Sequence, residues 1–237
     1  MTQFMQKATP DGEPRKRRKK KLPKVISANE ADALLRAAEN DREVTNTEAL
    51  RNRLILELMY RAGLRVSEVV GLKVRDVEPD GVIRLYDAKG GDGTSYFDAD
   101  RLTPTIDAWL AIRQAWAYSD TDTPFFCRPD GRPVTVRYVQ RLVKRLKEQT
   151  GILGICTPHV LRHTFATECI EEGFPIHEVS RLLRHSNIAT TAIYLSVRDE
   201  GLRRRIADRG RMGRGTVRGR GVDPDDGVSD QARDVNR

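Results

Sequence analysis

Three cysteines are all that the 237 residues supply, and no Cys-x-x-Cys pair occurs among Cys127, Cys156 and Cys169. Four histidines complete no zinc-ligand spacing. A disulfide-stapled secreted scaffold and a zinc ribbon are excluded on these grounds, and a reduced interior fits. Long apolar runs are missing as well. No stretch reaches the roughly 20 residues that a membrane helix needs, and no apolar signal-peptide core follows Met1. The expectation is a soluble protein of the cytoplasm. Apolar residues are scarce at both ends, so the core must be drawn from about Leu22 to Ser196. One domain over 22–198, a basic disordered arm over 1–21 and a mostly disordered tail over 199–237, Arg/Gly-rich and then acidic, is the economical division.

Positive charge is plentiful. Lys and Arg number 42 against 34 Asp and Glu, a formal net charge of +8. That balance favours polyanions through phosphate contacts and counterion release, although unrelated soluble proteins are also basic. Seven basic residues in a row, Arg15 to Lys21, repel one another and do not fold alone. The run is suited to lying along nucleic-acid phosphates; a solvated tail and a nuclear address are the other readings.

The periodicity is mainly helical. Ser27-Ala28-Asn29-Glu30 is a capping box. Leu50, Leu54, Ile55, Leu58 and Met59 mark a helix from about Thr47 to Ala62, stopped by Gly63, and another begins around Ser67. Val82 to Tyr86 and Tyr96-Phe97 flank a glycine-rich turn and read as two short strands. From Pro104 the pattern is helical again. Phe125-Phe126-Cys127 is a short buried segment. A helix from about Val136 to Gln149 turns Val139, Leu142, Val143 and Leu146 inward. Thr157 as N-cap and Pro158 at the first helical position open the next, which Gly173 closes. A further helix ends near His185, and one starting at Thr190 or Thr191 carries Tyr194. The fold class is mainly α with a small antiparallel β-sheet.

Chemistry concentrates between Thr157 and Tyr194. His159 and Arg162 are three apart in a first helical turn, where free amides favour an anion. Taken singly they are ordinary polar residues; Tyr194 reads as a core tyrosine, His185 as a helix C-cap and His163 as a structural histidine bonded within the core. As an ordered set they suit attack on a phosphodiester without metal.

The segments HVLRHTFAT and LLRHSNIATTAIY closely resemble the second and last conserved boxes of the tyrosine recombinases, the phage integrase family. RAGLRVSEVVGLKVRDV, from Arg61 to Val77, resembles the first box. The resemblance spans about Leu22 to Val197 and implies an integrase-type catalytic domain. It implies that Tyr194 is the nucleophile, leaving a 3′-phosphotyrosine and a free 5′-hydroxyl. Arg65 and Arg162 would grip the non-bridging oxygens, and His159 and His185 would bond the phosphate and assist proton movement. Lys89 would protonate the leaving 5′-oxygen, with Lys73 a weaker candidate. Glu68, three residues after Arg65, either orients a basic neighbour or is a helix-surface glutamate.

The implied partner is double-stranded DNA, with a dimer-to-tetramer of the chain on it, no cofactor and no membrane. The implied setting is a prokaryotic or viral protein associated with the nucleoid. The implied function is site-specific recombination, for integration or excision of a mobile element or for replicon resolution. Type IB topoisomerase-like relaxation and a catalytically silent DNA-binding regulator are the alternatives. Two departures stand out. Arg184 precedes His185 where glycine is common. Only about twenty residues precede the catalytic region where relatives carry a helical clamp domain, so either a minimal recombinase or an accessory clamp or DNA-bending protein is expected. Leu202 to Ile206 is either a segment that docks on a neighbouring copy or a frayed tail.

Overall fold

Helix α2 (Asn46–Arg61) organises the molecule. Its sequence is apolar on several sides, and Leu54, Ile55, Leu56, Leu58 and Met59 are all fully buried. Each such side chain contributes roughly 1.5–3 kcal/mol by leaving water. The helix packs against α1 (Ala28–Glu39), α4 (Ala99–Arg113) and α6 (Pro158–Glu172). This is a computed structural model, and it describes residues 23–86, 92–116, 120–185, 188–194 and 206. The expected basic arm and, apart from Ile206, the expected tail lie outside the described residues, as does Lys89.

Local signals account for most helix boundaries. The Ser27–Glu30 capping box is formed, and Thr45 and Glu48 form a second one that starts α2 slightly earlier than its apolar spacing predicts. Gly63 follows α2 at φ +63, and a Cβ there would meet the Phe165 ring at 2.4 Å, so both backbone and packing require glycine. Short α3 (Val66–Gly71) comes next, then strands β1 (Val82–Leu85) and β2 (Gly93–Tyr96). They pair antiparallel with Val82 opposite Tyr96 and Leu85 opposite Gly93. The buried hydroxyl of Ser95 donates to Ala62 O at 2.7 Å, which ties the hairpin to the end of α2.

Helix α4 corrects a sequence expectation. It starts at Ala99, capped by Asp98, and Pro104 lies inside it rather than at its start. Asp98 capping together with burial of Leu102, Ile106 and Trp109 offsets the backbone bond that Pro104 removes. Helix α5 (Val136–Thr150) buries Val139, Leu142, Val143 and Leu146, the four expected residues. Arg137, Gln140, Arg141 and Lys144 are exposed on its other side. Thr157 caps α6, Pro158 opens it and Gly173 at φ +102 ends it. Helix α7 (Ile176–Leu182) follows, and Tyr194 closes a 3-10 helix, Ile188–Tyr194, that begins before the expected threonines. A large core joins α1 to α5 with the start of α6; a smaller one gathers Ala166, Cys169, Ile170, Val179, Leu183 and Tyr194. The three cysteines are buried free thiols, and burial raises the pKa of each. No helix among the described residues is long and apolar enough to cross a membrane.

Candidate active site

Three helix ends meet where the site forms. The α2–α3 junction supplies Arg65, the first turn of α6 supplies His159 and its second turn Arg162, and the end of α7 supplies Arg184 and His185. Arginine gathers there because the last carbonyls of a helix lack partners along the chain. Arg162 Nη2 donates to Leu183 O, Arg65 Nη2 to Arg184 O at 3.3 Å, and Arg184 Nη1 to Leu182 O at 2.7 Å. Three successive carbonyls thus each hold one guanidinium.

A single carboxylate sits among these cations. Glu68 accepts from Arg65 N at 2.7 Å and Arg65 Nη1 at 2.6 Å, and its Oε2 lies 3.6 Å from Arg162 Nη1. Burial opposes its charge, but the Arg184 guanidinium above all, with Arg65 N and Arg162, holds its pKa below the usual carboxylate value. Glu68 is 8% exposed and bonded to Arg65, which decides for the orienting reading over the surface one. Arg162 is itself buried, and its Nη1 also donates to Gly63 O at 2.5 Å. Burial, then the neighbouring Arg65, lowers its pKa to about 9, so it stays cationic at neutral pH.

The histidines divide. His159 is exposed, although it lies only three residues before buried Arg162 on α6. His185 is half-buried, and its Nδ1 lies 2.8 Å from the Thr191 hydroxyl. Burial, then Arg162 and Arg65, lower its pKa to about 4, so it is neutral at pH 7. His163 is the residue that sequence reasoning underrated. It does lie half inside the fold, but its bond goes to the candidate nucleophile: Nδ1 is 2.6 Å from Tyr194 Oη. The i, i+4 spacing from His159 was the available signal. Tyr194 is 1% exposed; burial raises its pKa to about 12, against the pull of Arg162. Lys73, the weaker lysine candidate, is bonded to both oxygens of Asp122 at 3.0 Å.

Two open clefts border this cluster. One, about 570 Å³, is lined by Thr94, Tyr96, Arg181 and His185 among others. The other, about 510 Å³, takes in Gln140, Lys144, Lys147 and His159. Basic side chains thus extend outward from the buried guanidiniums on both sides. Among the described residues no group of histidine, cysteine and carboxylate side chains is placed to hold a metal ion.

The depressed histidines carry a pH signature. A group whose folded pKa lies below its unfolded value of 6.5 favours the fold in its neutral form. His163 and His185 therefore contribute stability that is present above pH 6.5 and is lost as pH falls below it, for His185 as pH approaches about 4. The Tm is expected to fall over this window, and His185→Gln to flatten the fall; equal slopes for parent and variant would contradict the assignment.

Comparison with known proteins fits this geometry. The model of the phage integrase family matches residues 24–200. The tyrosine recombinase XerC of Thermodesulfovibrio yellowstonii is 33% identical over 184 residues, covering 76% of this chain and 60% of that protein. The crystal structure of XerA recombinase superposes with a TM-score of 0.67 at 27% identity, covering 80% of this chain and 66% of that one. The XerH site-specific recombinase bound to its difH substrate, in a pre-cleavage complex, gives a TM-score of 0.65 at 23% identity, covering 74% and 50%, a likeness of fold. The chain spans between 54% and 61% of the length of the curated relatives it matches. By its sequence over 24–200 and by its fold, the chain belongs to the phage integrase family, the tyrosine recombinases.

Proposed function

We propose that the chain binds double-stranded DNA and carries out site-specific recombination, cleaving and rejoining strands through a covalent 3′-phosphotyrosine on Tyr194. The observation that carries this reading is the clustering of Arg65 and Arg162 about Glu68 with Tyr194 within electrostatic reach of Arg162. Planar guanidinium forks suit the oxygens of a phosphate on which charge builds as it becomes pentacoordinate. Tyr194 Oη forms a bond to phosphorus while the bond to the 5′-oxygen breaks. The phenolic proton passes to the site's bases, and the 5′-oxygen takes a proton, assigned to Lys89 on the family pattern. His159 and His185 bond the phosphate and assist these transfers. Two guanidiniums supply the charge a metal supplies elsewhere, and the phosphotyrosine conserves the bond energy, so neither metal nor nucleotide is required. Because Tyr194 is covered here, its hydroxyl leaves the His163 bond before attack.

Integration or excision of a mobile element and replicon resolution are the settings proposed, with the chain acting as a dimer to tetramer on DNA in the cytoplasm. The basic arm, Arg15 to Lys21, and the exposed face of α5 lie along phosphates. Leu202 to Ile206 docks on a neighbouring copy. Type IB-like relaxation shares the chemistry and is separated by its needing only one DNA site.

Two measurements test the reading. Contact with about six phosphates lowers DNA affinity about 10³-fold between about 50 and 200 mM salt; equal affinity at both would contradict a phosphate-led interface. A pool of nicked duplexes with randomised central sequence is expected to yield protein-linked DNA that survives denaturing electrophoresis. A chain that binds this pool and links to none of it is the silent regulator instead.

A further inference from the structure

Arg184 is the one non-glycine residue among those described that adopts a positive φ, at 50°. A side-chain-bearing residue holds this left-handed conformation only where its surroundings demand it. The demand is visible. The Arg184 guanidinium is 5% exposed and grips Glu68 with two nitrogens, Nη2 to Oε2 at 2.5 Å and Nε to Oε1 at 3.4 Å. Space for its stem exists because residue 93 is glycine: a Cβ there would lie 2.8 Å from Arg184 Cδ and 3.1 Å from Cγ. Gly93 itself needs no special φ. Its bareness serves Arg184.

The effect falls on Glu68. A carboxylate has about four acceptor positions. Arg65 fills two and Arg184 fills two. Arg162 Nη1, at 3.6 Å, is left at ion-pair distance without a bond. Remove Arg184, and Arg162 becomes the nearest cation able to move onto Glu68. The net charge also drops. Three guanidiniums against one carboxylate give a formal +2, and two give +1. We propose that Arg184, admitted by the bare Cα of Gly93, is a positioning residue that occupies Glu68 and so keeps Arg65 and Arg162 available to the oxygens of the scissile phosphate. This rests on the proposed cleavage chemistry.

Arg184→Gly tests it well, because glycine suits the backbone at φ 50°; the buried pair to Glu68 is lost, so its Tm is measured first and rates are compared well below it. With the nicked-duplex pool, single-turnover adduct formation at saturating protein is expected to slow about tenfold or more, as for other groups that orient a reacting shell. DNA affinity should change less than about threefold, since the lost cation is buried. Gly93→Ala should slow adduct formation comparably by displacing Arg184. The two together should be no slower than Arg184→Gly alone, the mark of a shared path. Adding Glu68→Gln to Arg184→Gly should recover part of the rate, because the uncovered carboxylate is gone. A parent-like rate for Arg184→Gly, multiplied losses in the pair, or further slowing with Glu68→Gln would each overturn the proposal. A readout that needs no cleavage separates this from failure of the recombinase reading. In ¹⁵N NMR the guanidinium Nε–H signals of Arg65 and Arg162 should shift and exchange more slowly in Arg184→Gly as both tighten on Glu68. Unchanged signals would sink the proposal even if the parent chain forms no adduct.

Discussion

Tyr194→Phe is expected to bind DNA as the parent chain does and to form no covalent adduct. The substitution removes one oxygen from a side chain that is 1% exposed, so the ring keeps its packing against the Ala166, Ile170, Val179 and Leu183 cluster. What is lost is the contact between Tyr194 Oη and His163 Nδ1. A neutral hydrogen bond contributes about 1 kcal/mol, so the fold is expected to persist with a small drop in Tm. The chemical loss is total by comparison, since no carbon of phenylalanine attacks phosphorus. Filter binding or electrophoretic shift reads the first half of the expectation, and denaturing electrophoresis of the nicked-duplex reaction reads the second. Adduct formation by Tyr194→Phe would place the nucleophile elsewhere.

Arg162→Lys is expected to lower the cleavage rate about 10²- to 10³-fold, the range for removing a preorganised donor from a developing anion. Lysine keeps the positive charge but not the fork, and Arg162 uses its fork three ways. Nη1 reaches Gly63 O, Nη2 reaches Leu183 O, and Nη1 lies 3.6 Å from Glu68. A single ammonium cannot hold these positions and also present donors to a phosphate. Arg162→Ala is the less informative variant. The side chain is buried, so truncation leaves the Gly63 and Leu183 carbonyls without its bonds, removes a cation beside Glu68, and costs about 2–4 kcal/mol of stability. Loss of cleavage in that variant would mix chemistry with unfolding. A near-parental rate in Arg162→Lys, at equal Tm, would remove Arg162 from the reacting centre.

The residues legible in the sequence are those whose signal is local. Ser27 with Glu30, Thr157 with Pro158, and the apolar spacing of α5 each state their structure within a few positions, and each is realised. The start of α4 was obscured because Pro104 is a strong mark for a helix start, while the Asp98 cap that begins it is a weaker one. The candidate site was legible only as an ordered set. Nothing near Glu68 says whether it faces solvent, because its partner Arg184 lies 116 positions away. Distance in sequence also hides what Gly93 is for. His163 shows a third kind of limit. Its burial is inferable from its place on α6, but its bond to Tyr194 depends on where a later 3-10 helix turns.

The central claim is that Tyr194 becomes joined to DNA at a 3′-phosphate. It is tested most directly by digesting the protein–DNA adduct with protease and nuclease and sequencing the nucleotide-bearing peptide by mass spectrometry. A single modified peptide spanning Ile188 to Tyr194 is expected, with the nucleotide mass on the Tyr194 oxygen through its 3′-phosphate and a free 5′-hydroxyl on the released strand. A nucleotide on any other residue, or a 5′-phosphate linkage, would contradict it.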